Sequence, residues 1–215
     1  MKVISFLNPK GGAGKTTAVI NIATCLVKSG YKIAVVDTDP QRSISNWNQQ
    51  DKAIFDLYTA ENEKDVYQVR KQLTGYDYVV IDGAGSLSII TAAAIMVSDL
   101  VIIPVASSPL DFSSSGSVLS VLEAQAYNRQ VPAYYLITQS KNHANMLKII
   151  KNNIAHTGIP RLINSLSYYE GFKTSLIDNG TIFDTKNGKA IAIVQLLTSE
   201  IITLLKTEGN DETSI

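Results

Sequence analysis

Short apolar runs alternate along the chain with stretches whose apolar residues recur at helical spacing. Residues 3–7, 33–36, 78–81, 100–105 and 134–137 are of strand length, rich in Val, Ile or Tyr, and apolar on both faces. Such runs predict buried parallel strands. Between them, 15–29 reads as a helix stopped by Gly30, a residue suited to the left-handed turn past a helix end. Residues 64–73 carry Val66, Val69 and Leu73 on one face, and 113–128 and 145–155 carry similar stripes. Residues 43–50 predict a short helix. The most regular pattern is the last, where Ala190, Ile193, Val194, Leu197, Ile201, Leu204 and Leu205 form one buried stripe. Strand–helix alternation of this kind predicts an α/β fold. It is a single doubly wound, mostly parallel sheet with helices on both faces, whose ligands bind at the carboxyl ends of the strands.

Composition narrows the classes. The 215 residues are 45% hydrophobic and 18% charged, with 19 Lys+Arg against 19 Asp+Glu. A disordered chain would be less apolar, and a DNA-wrapping protein would be strongly basic. The single cysteine, Cys25, excludes an intramolecular disulfide, and with two histidines a zinc site is not expected. No apolar run is read as reaching membrane-spanning length, and the N-terminus does not read as a signal peptide, so the expectation is a cytoplasmic protein. With no repeat and no linker, residues 1–207 read as one domain. The polar, acidic residues 208–215 read as a frayed tail.

The chemistry concentrates after the first strand, where residues 8–17 read Asn-Pro-Lys-Gly-Gly-Ala-Gly-Lys-Thr-Thr. Gly11, Gly12 and Gly14 let the backbone curl with its N–H groups inward. Together with Ala13 and Thr17, at the positive end of a helix dipole, they form a nest for phosphate oxygens. Lys15 supplies a charge for the β and γ phosphates, and Thr16 a hydroxyl for Mg²⁺. The strict P-loop has glycine six residues before the lysine; here that position is Pro9, and a second lysine, Lys10, is present instead. Two acidic segments follow later strands: Val-Val-Asp-Thr-Asp-Pro-Gln at 35–41 and Ile-Asp-Gly-Ala-Gly at 81–85.

This deviant Walker A loop resembles that of the ParA/MinD family of ATPases, and the likeness runs along essentially the whole chain. The 35–41 segment, the Asp-Gly-Ala-Gly-Ser-Leu-Ser stretch at 82–88 and Pro-Leu-Asp-Phe-Ser at 109–113 look most like the small plasmid-partition ATPases of the ParF type. Those proteins lack the N-terminal helix-turn-helix domain of larger ParA proteins, and no such domain is expected here. The resemblance implies ATP and Mg²⁺ as cofactors, with the cation held by Thr16, Asp39 and Asp82. Asp82 takes the Walker B role, and Gly83–Gly85 that of a switch loop. Lys10 reaches across a nucleotide-sandwich dimer, where a lysine donated in trans stabilises charge much as an arginine finger does. Asp37 and Asp39 resemble the switch I pair: Asp39 orients the attacking water, while Asp37 either ties down Lys15 or the Mg²⁺ shell, or caps a turn as an ordinary strand-end acid. Hydrolysis is expected to be slow, resting on positioning and electrostatics. Thr138 and Gln139 stand where the family reads adenine, and no guanine motif is present. Asp111 meets either Lys10 or a partner lysine, or caps the helix at Ser113.

The implied partners are a small ParB- or ParG-like centromere-binding protein, nucleoid DNA bound without sequence specificity, and further copies of the chain in an ATP-dependent dimer or polymer; no membrane is implied. Lys148, Lys151 and Arg161 are candidates for DNA phosphates, against their reading as ordinary solvated surface. Three other classes compete. A MinD-like division-site ATPase needs a basic amphipathic C-terminal helix, whereas Lys206 is followed here by Glu208, Asp211 and Glu212. A nitrogenase-iron-protein-like redox reading needs cluster cysteines. A small-molecule synthetase of the same fold would phosphorylate a small acid.

Overall fold

The computed structural model describes residues 1–86, 88–106, 112–140, 144–167, 170–178 and 180–207. Residues 107–111 with Asp111, together with Lys141, His143 and 208–215, lie outside them.

The described residues form a seven-stranded sheet in the order β3-β2-β4-β1-β5-β6-β7, with every pairing parallel. The strands are β1 (Lys2–Phe6), β2 (Ile33–Asp37), β3 (Asp56–Thr59), β4 (Tyr78–Asp82), β5 (Leu100–Ala106), β6 (Ala133–Ser140) and β7 (Leu166–Ser167). The helices between and after them are α1 (Lys15–Lys28), α2 (Ser43–Trp47), α3 (Glu63–Gln72), α4 (Ile89–Val97), α5 (Gly116–Ala126), α6 (Ala144–Ala155), α7 (Glu170–Ile177) and α8 (Gly188–Thr207). This is the doubly wound parallel sheet expected from the sequence pattern.

Strand alternation divides the core in two. Ile4, Phe6, Val35, Val80 and Ile102 face one side, where they pack with α1 and α8. Val3, Val36, Ile81, Val101 and Ile103 face the other, with α3, α4, α5 and α6. Two strands and two helices escape the sequence pattern. β3 is a partly exposed edge strand with one neighbour, and β7 has only two residues, so neither needs an apolar run. In α4 (IITAAAIMV) the apolar residues run almost without interruption, which removes the helical period. α7 is only eight residues long, with Phe172 and Ser175 buried, too short for a helical stripe to show.

α8 corrects one expectation. By length and composition alone Gly188–Thr207, with a mean hydropathy of 1.5, is a helix that could cross a membrane. Its stripe of Ala190, Val194, Leu197, Ile201 and Leu205 is buried in the core shared with α1. Glu200, on the same helix, accepts hydrogen bonds from the Ile163 and Asn164 backbone N–H groups and from Asn164 Nδ2.

β1 lies between β4 and β5, and the chain passes from β1 to β2 on one side before returning to β5 on the other. The carboxyl end of β1 is therefore the reversal point where open α/β sheets hold ligands. Register places Asp82 beside both Phe6 and Asp37 at that end.

Candidate functional site

The loop between β1 and α1 borders a cleft of about 580 Å³, lined by residues 11–17, Asp39, Pro40, Gln41, Ser43, Gly85, Ser86 and Gln139. Side chains distant in sequence fix this loop. The buried Asn8 donates from Nδ2 to the Pro104 carbonyl at 2.7 Å, and its Oδ1 accepts from Lys10 N–H at 2.9 Å and Ser114 Oγ at 3.1 Å. Thr138 Oγ1 donates to the Ala13 carbonyl at 2.7 Å, and Gln139 Nε2 to the Gly12 carbonyl at 2.7 Å. Gly14 initiates α1 with φ +87°, and a Cβ there would lie 3.2 Å from the Thr138 side chain. Both the conformation and the space demand glycine.

Lys15 is 6% exposed, and its Nζ donates to the Lys10 carbonyl at 3.1 Å. Burial holds its pKa below the usual lysine value, while the Asp82 and Asp39 charges pull it back up. Asp82 is fully buried. Its Oδ2 accepts from Thr16 Oγ1 at 2.7 Å, whereas Oδ1 has no hydrogen-bond partner. Burial pushes the Asp82 carboxyl up to about 7, opposed by the Thr16 hydroxyl and by Lys15, and reinforced by Asp37 and Asp39.

A buried carboxylate oxygen without a partner is costly, and beside a threonine hydroxyl it fits a hydrated Mg²⁺. Among the described residues no cluster of three or more His, Cys, Asp or Glu could hold a metal. A cation here would therefore draw its other ligands from phosphate oxygens and water, as Mg²⁺ does in nucleotide sites.

The other expected residues divide. Asp39 lines the cleft, with Oδ1 accepting from Gln41 N–H at 2.9 Å. Lys10 is half-buried beside the cleft and is not among its lining residues. Asp37 departs from the ligand reading. Its Oδ1 accepts from Asp39 N–H, and its Oδ2 from Ile44 N–H, Ser45 N–H and Ser45 Oγ. It thus anchors the start of α2, the turn-capping alternative. Burial raises its pKa against the pull of those N–H groups. Thr138 and Gln139 hold the phosphate loop through these donors, and both also line a small cavity beside Gly14. Lys148, Lys151 and Arg161 lie at the surface, outside the cleft.

Several positioning residues were not predicted. Asn8 is one. Thr38 is another: its N–H and Oγ1 both donate to the Asp82 carbonyl, at 3.1 and 2.8 Å. Gly83, expected for its flexibility, is required for closeness, since a Cβ would sit 2.6 Å from Leu7 Cδ2 and 2.8 Å from the Phe6 carbonyl. That small cavity, beside Gly14, Thr17, Thr138 and Gln139, is also walled by Leu166, Ser167, Phe172 and Lys173, residues whose role depends on β7 and α7.

Comparison with known proteins agrees with this fold. A family model described as VirC1 protein matches residues 1–157. The maintenance of carboxysome distribution protein A of Halothiobacillus neapolitanus is 27% identical over 187 residues, covering 84% of this chain and 86% of that protein. The protein ParA of Rhizobium radiobacter is 28% identical over 186 residues, covering 84% of this chain and 74% of its own length. Among solved structures, cobyrinic acid a,c-diamide synthase from Mycobacterium smegmatis with bound ADP and magnesium superposes with a TM-score of 0.76 at 18% identity, covering 95% of each chain. At that identity the likeness is one of fold.

Proposed function

Since this chain belongs to the VirC1 protein family, within the ParA/MinD group of deviant Walker ATPases, we propose that it is an ATP-dependent partition ATPase that segregates plasmid or other DNA. Residues 1–207 act as its ATPase domain, with 208–215 as a tail. The observation that carries the reading is the pairing of Thr16 Oγ1 with Asp82 Oδ2 at 2.7 Å, under a phosphate loop held by Asn8, Thr138 and Gln139.

In this reading the N–H groups of residues 11–17 hold the phosphate oxygens and Lys15 neutralises their charge. Thr16 and Asp82 hold Mg²⁺, which supplies further charge neutralisation at the phosphates. Asp39 faces the cleft and orients water, while Asp37 keeps the Asp39 turn in place through α2. The base lies in the cavity walled by Leu166 and Phe172. Lys10 acts on the nucleotide of a second copy, so the triphosphate form favours dimerisation or higher assembly. A ParB- or ParG-like centromere-binding protein stimulates hydrolysis and resets the cycle, with nucleoid DNA as the track and the cytoplasm as the setting. A neighbouring reading keeps the mechanism and changes the cargo: the relative named for carboxysome distribution favours a protein-built body in place of DNA.

ATP turnover is the test. Turnover that rises with DNA and a centromere-binding partner, with no small-molecule acceptor, supports the partition reading; turnover that requires such an acceptor assigns the chain to the synthetases of this fold.

A further inference from the structure

A second cleft, of about 520 Å³, lies at the other end of the sheet, where β1, β5 and β6 begin. Asp99, one residue before β5, stands at its floor. Its Oδ2 accepts from Val3 N–H at 2.7 Å and lies 2.8 Å from Arg70 Nη2. Its Oδ1 is shared at longer range by Lys2 Nζ at 3.9 Å and Arg129 Nη2 at 3.6 Å. The second Arg129 nitrogen, Nη1, makes one long hydrogen bond of 3.4 Å to the Met96 carbonyl. Three cations thus surround one carboxylate. The two that line the cleft, Lys2 and Arg129, sit beyond good hydrogen-bond distance from it. Ile159, Pro160 and Leu205 also line the cleft.

We propose that this cleft is a docking site for an acidic, aliphatic peptide segment of a partner protein. One carboxylate of the segment sits between Lys2 and Arg129, and a neighbouring aliphatic side chain lies against Ile159, Pro160 and Leu205. The excess of positive charge calls for an anion, and the planar guanidinium suits a carboxylate. Asp99 at the floor repels a phosphate dianion more than a single carboxylate. A concave, half-apolar wall suits a peptide better than a nucleic-acid backbone, whose phosphates need an extended basic track. Because the cleft opens at the end opposite the phosphate loop, its occupant leaves the nucleotide cleft and the face around it uncovered. A tether here would hold in either nucleotide state.

The test uses the full chain and a fluorescein-labelled peptide of sequence Leu-Glu-Glu-Leu-Asp-Leu, read by anisotropy. Binding should weaken with salt and by about ten-fold or more in Arg129→Glu and, separately, in Lys2→Glu. Both variants should stay folded with a somewhat lower melting temperature, since each removes one of the cations near Asp99, and should keep their ATP affinity by calorimetry. Unchanged peptide binding in both variants overturns the proposal, as does competition by inorganic phosphate or a DNA oligonucleotide as effective as that by unlabelled peptide. Peptide binding that appears only after residues 208–215 are deleted makes the chain itself the occupant and overturns the assignment to a partner. None of these outcomes depends on nucleotide turnover, so this proposal and the partition reading fail separately.

Discussion

At the carboxyl end of the sheet, Asp82 gives one oxygen to Thr16 and leaves the other buried without a partner. At the amino end, Asp99 gives one oxygen to Val3 N–H and Arg70 and draws Lys2 and Arg129 toward the other. Both are aspartates at strand ends of one parallel sheet. The first is held in an environment that disfavours its charge until something cationic arrives. The second is already compensated, and it is the cations around it that have capacity left. A carboxylate kept short of partners marks a place for a cation, whereas one ringed by cations is structural and leaves a place for an anion. Asp37 sharpens the point. It pairs with Asp82 in register, yet its four hydrogen bonds to residues 39–45 make it a support for the loop.

The largest effect expected at the carboxyl end is that of Lys15→Ala. Removing the Lys15 ammonium from the cleft should weaken ATP binding by about 100-fold or more, since charge-assisted contacts in a low-dielectric site are worth several kcal/mol. Titration calorimetry checks this. Lys10→Ala should leave ADP affinity nearly intact and abolish ATP-driven association, read by light scattering with a non-hydrolysable analogue. Unchanged assembly would remove Lys10 from its trans role.

The charge state of Asp82 predicts a pH dependence. Its folded pKa of about 7 lies above the ordinary 3.8, so between those values the folded state binds more protons than the unfolded chain. Stability without ligand is then highest at low pH and is lost as pH rises toward 7. Asp37 is shifted in the same direction. Melting temperature should fall between pH 5 and pH 8, and Mg²⁺ with ATP should offset the fall. In Asp82→Asn the slope should flatten and the Mg²⁺ response vanish. At the amino end, Asp99→Asn should cost about 1–2 kcal/mol, because the cations around it are substantially solvent-exposed and screened. For a chain of this size that is roughly 2–8 °C in melting temperature, with ATP affinity unchanged. A pH slope that survives Asp82→Asn, or an Asp99 variant that loses nucleotide binding, would erase the contrast between the two ends.

What the sequence made legible follows from what is local. The phosphate loop, Lys15, Thr16 and the acids closing β2 and β4 are contiguous with apolar strands, and the strand–helix alternation carried the layered fold. The supports were hidden because each joins distant segments. Asn8 reaches Pro104 across 96 positions, Thr138 reaches Ala13 across 125, and Trp47 Nε1 reaches the Gly180 carbonyl across 133. Nothing in a lone Asn, Thr or Trp announces such a partner. Asp99 looked like an ordinary polar residue before a strand, since its three cations come from positions 2, 70 and 129. β3 and β7 were missed because an edge strand needs only one apolar face.

The smallest effect is the most discriminating about the carboxyl end. Thr138 is fully buried, with its hydroxyl on the Ala13 carbonyl and its side chain against Gly14. Thr138→Val keeps the shape and removes one hydrogen bond, leaving the Ala13 carbonyl short of a donor at a cost of about 1 kcal/mol. If Thr138 supports the phosphate loop, affinity for ATP, GTP and inorganic tripolyphosphate should fall together by a similar small factor, about five-fold. If instead it reads the base, ATP affinity alone should fall and tripolyphosphate should bind as before. Parallel calorimetric titrations of the three ligands separate these outcomes. A selective loss of ATP would assign Thr138 the adenine role that its place near the carboxyl end of β6 suggests, and would show that the loop keeps its curvature without it.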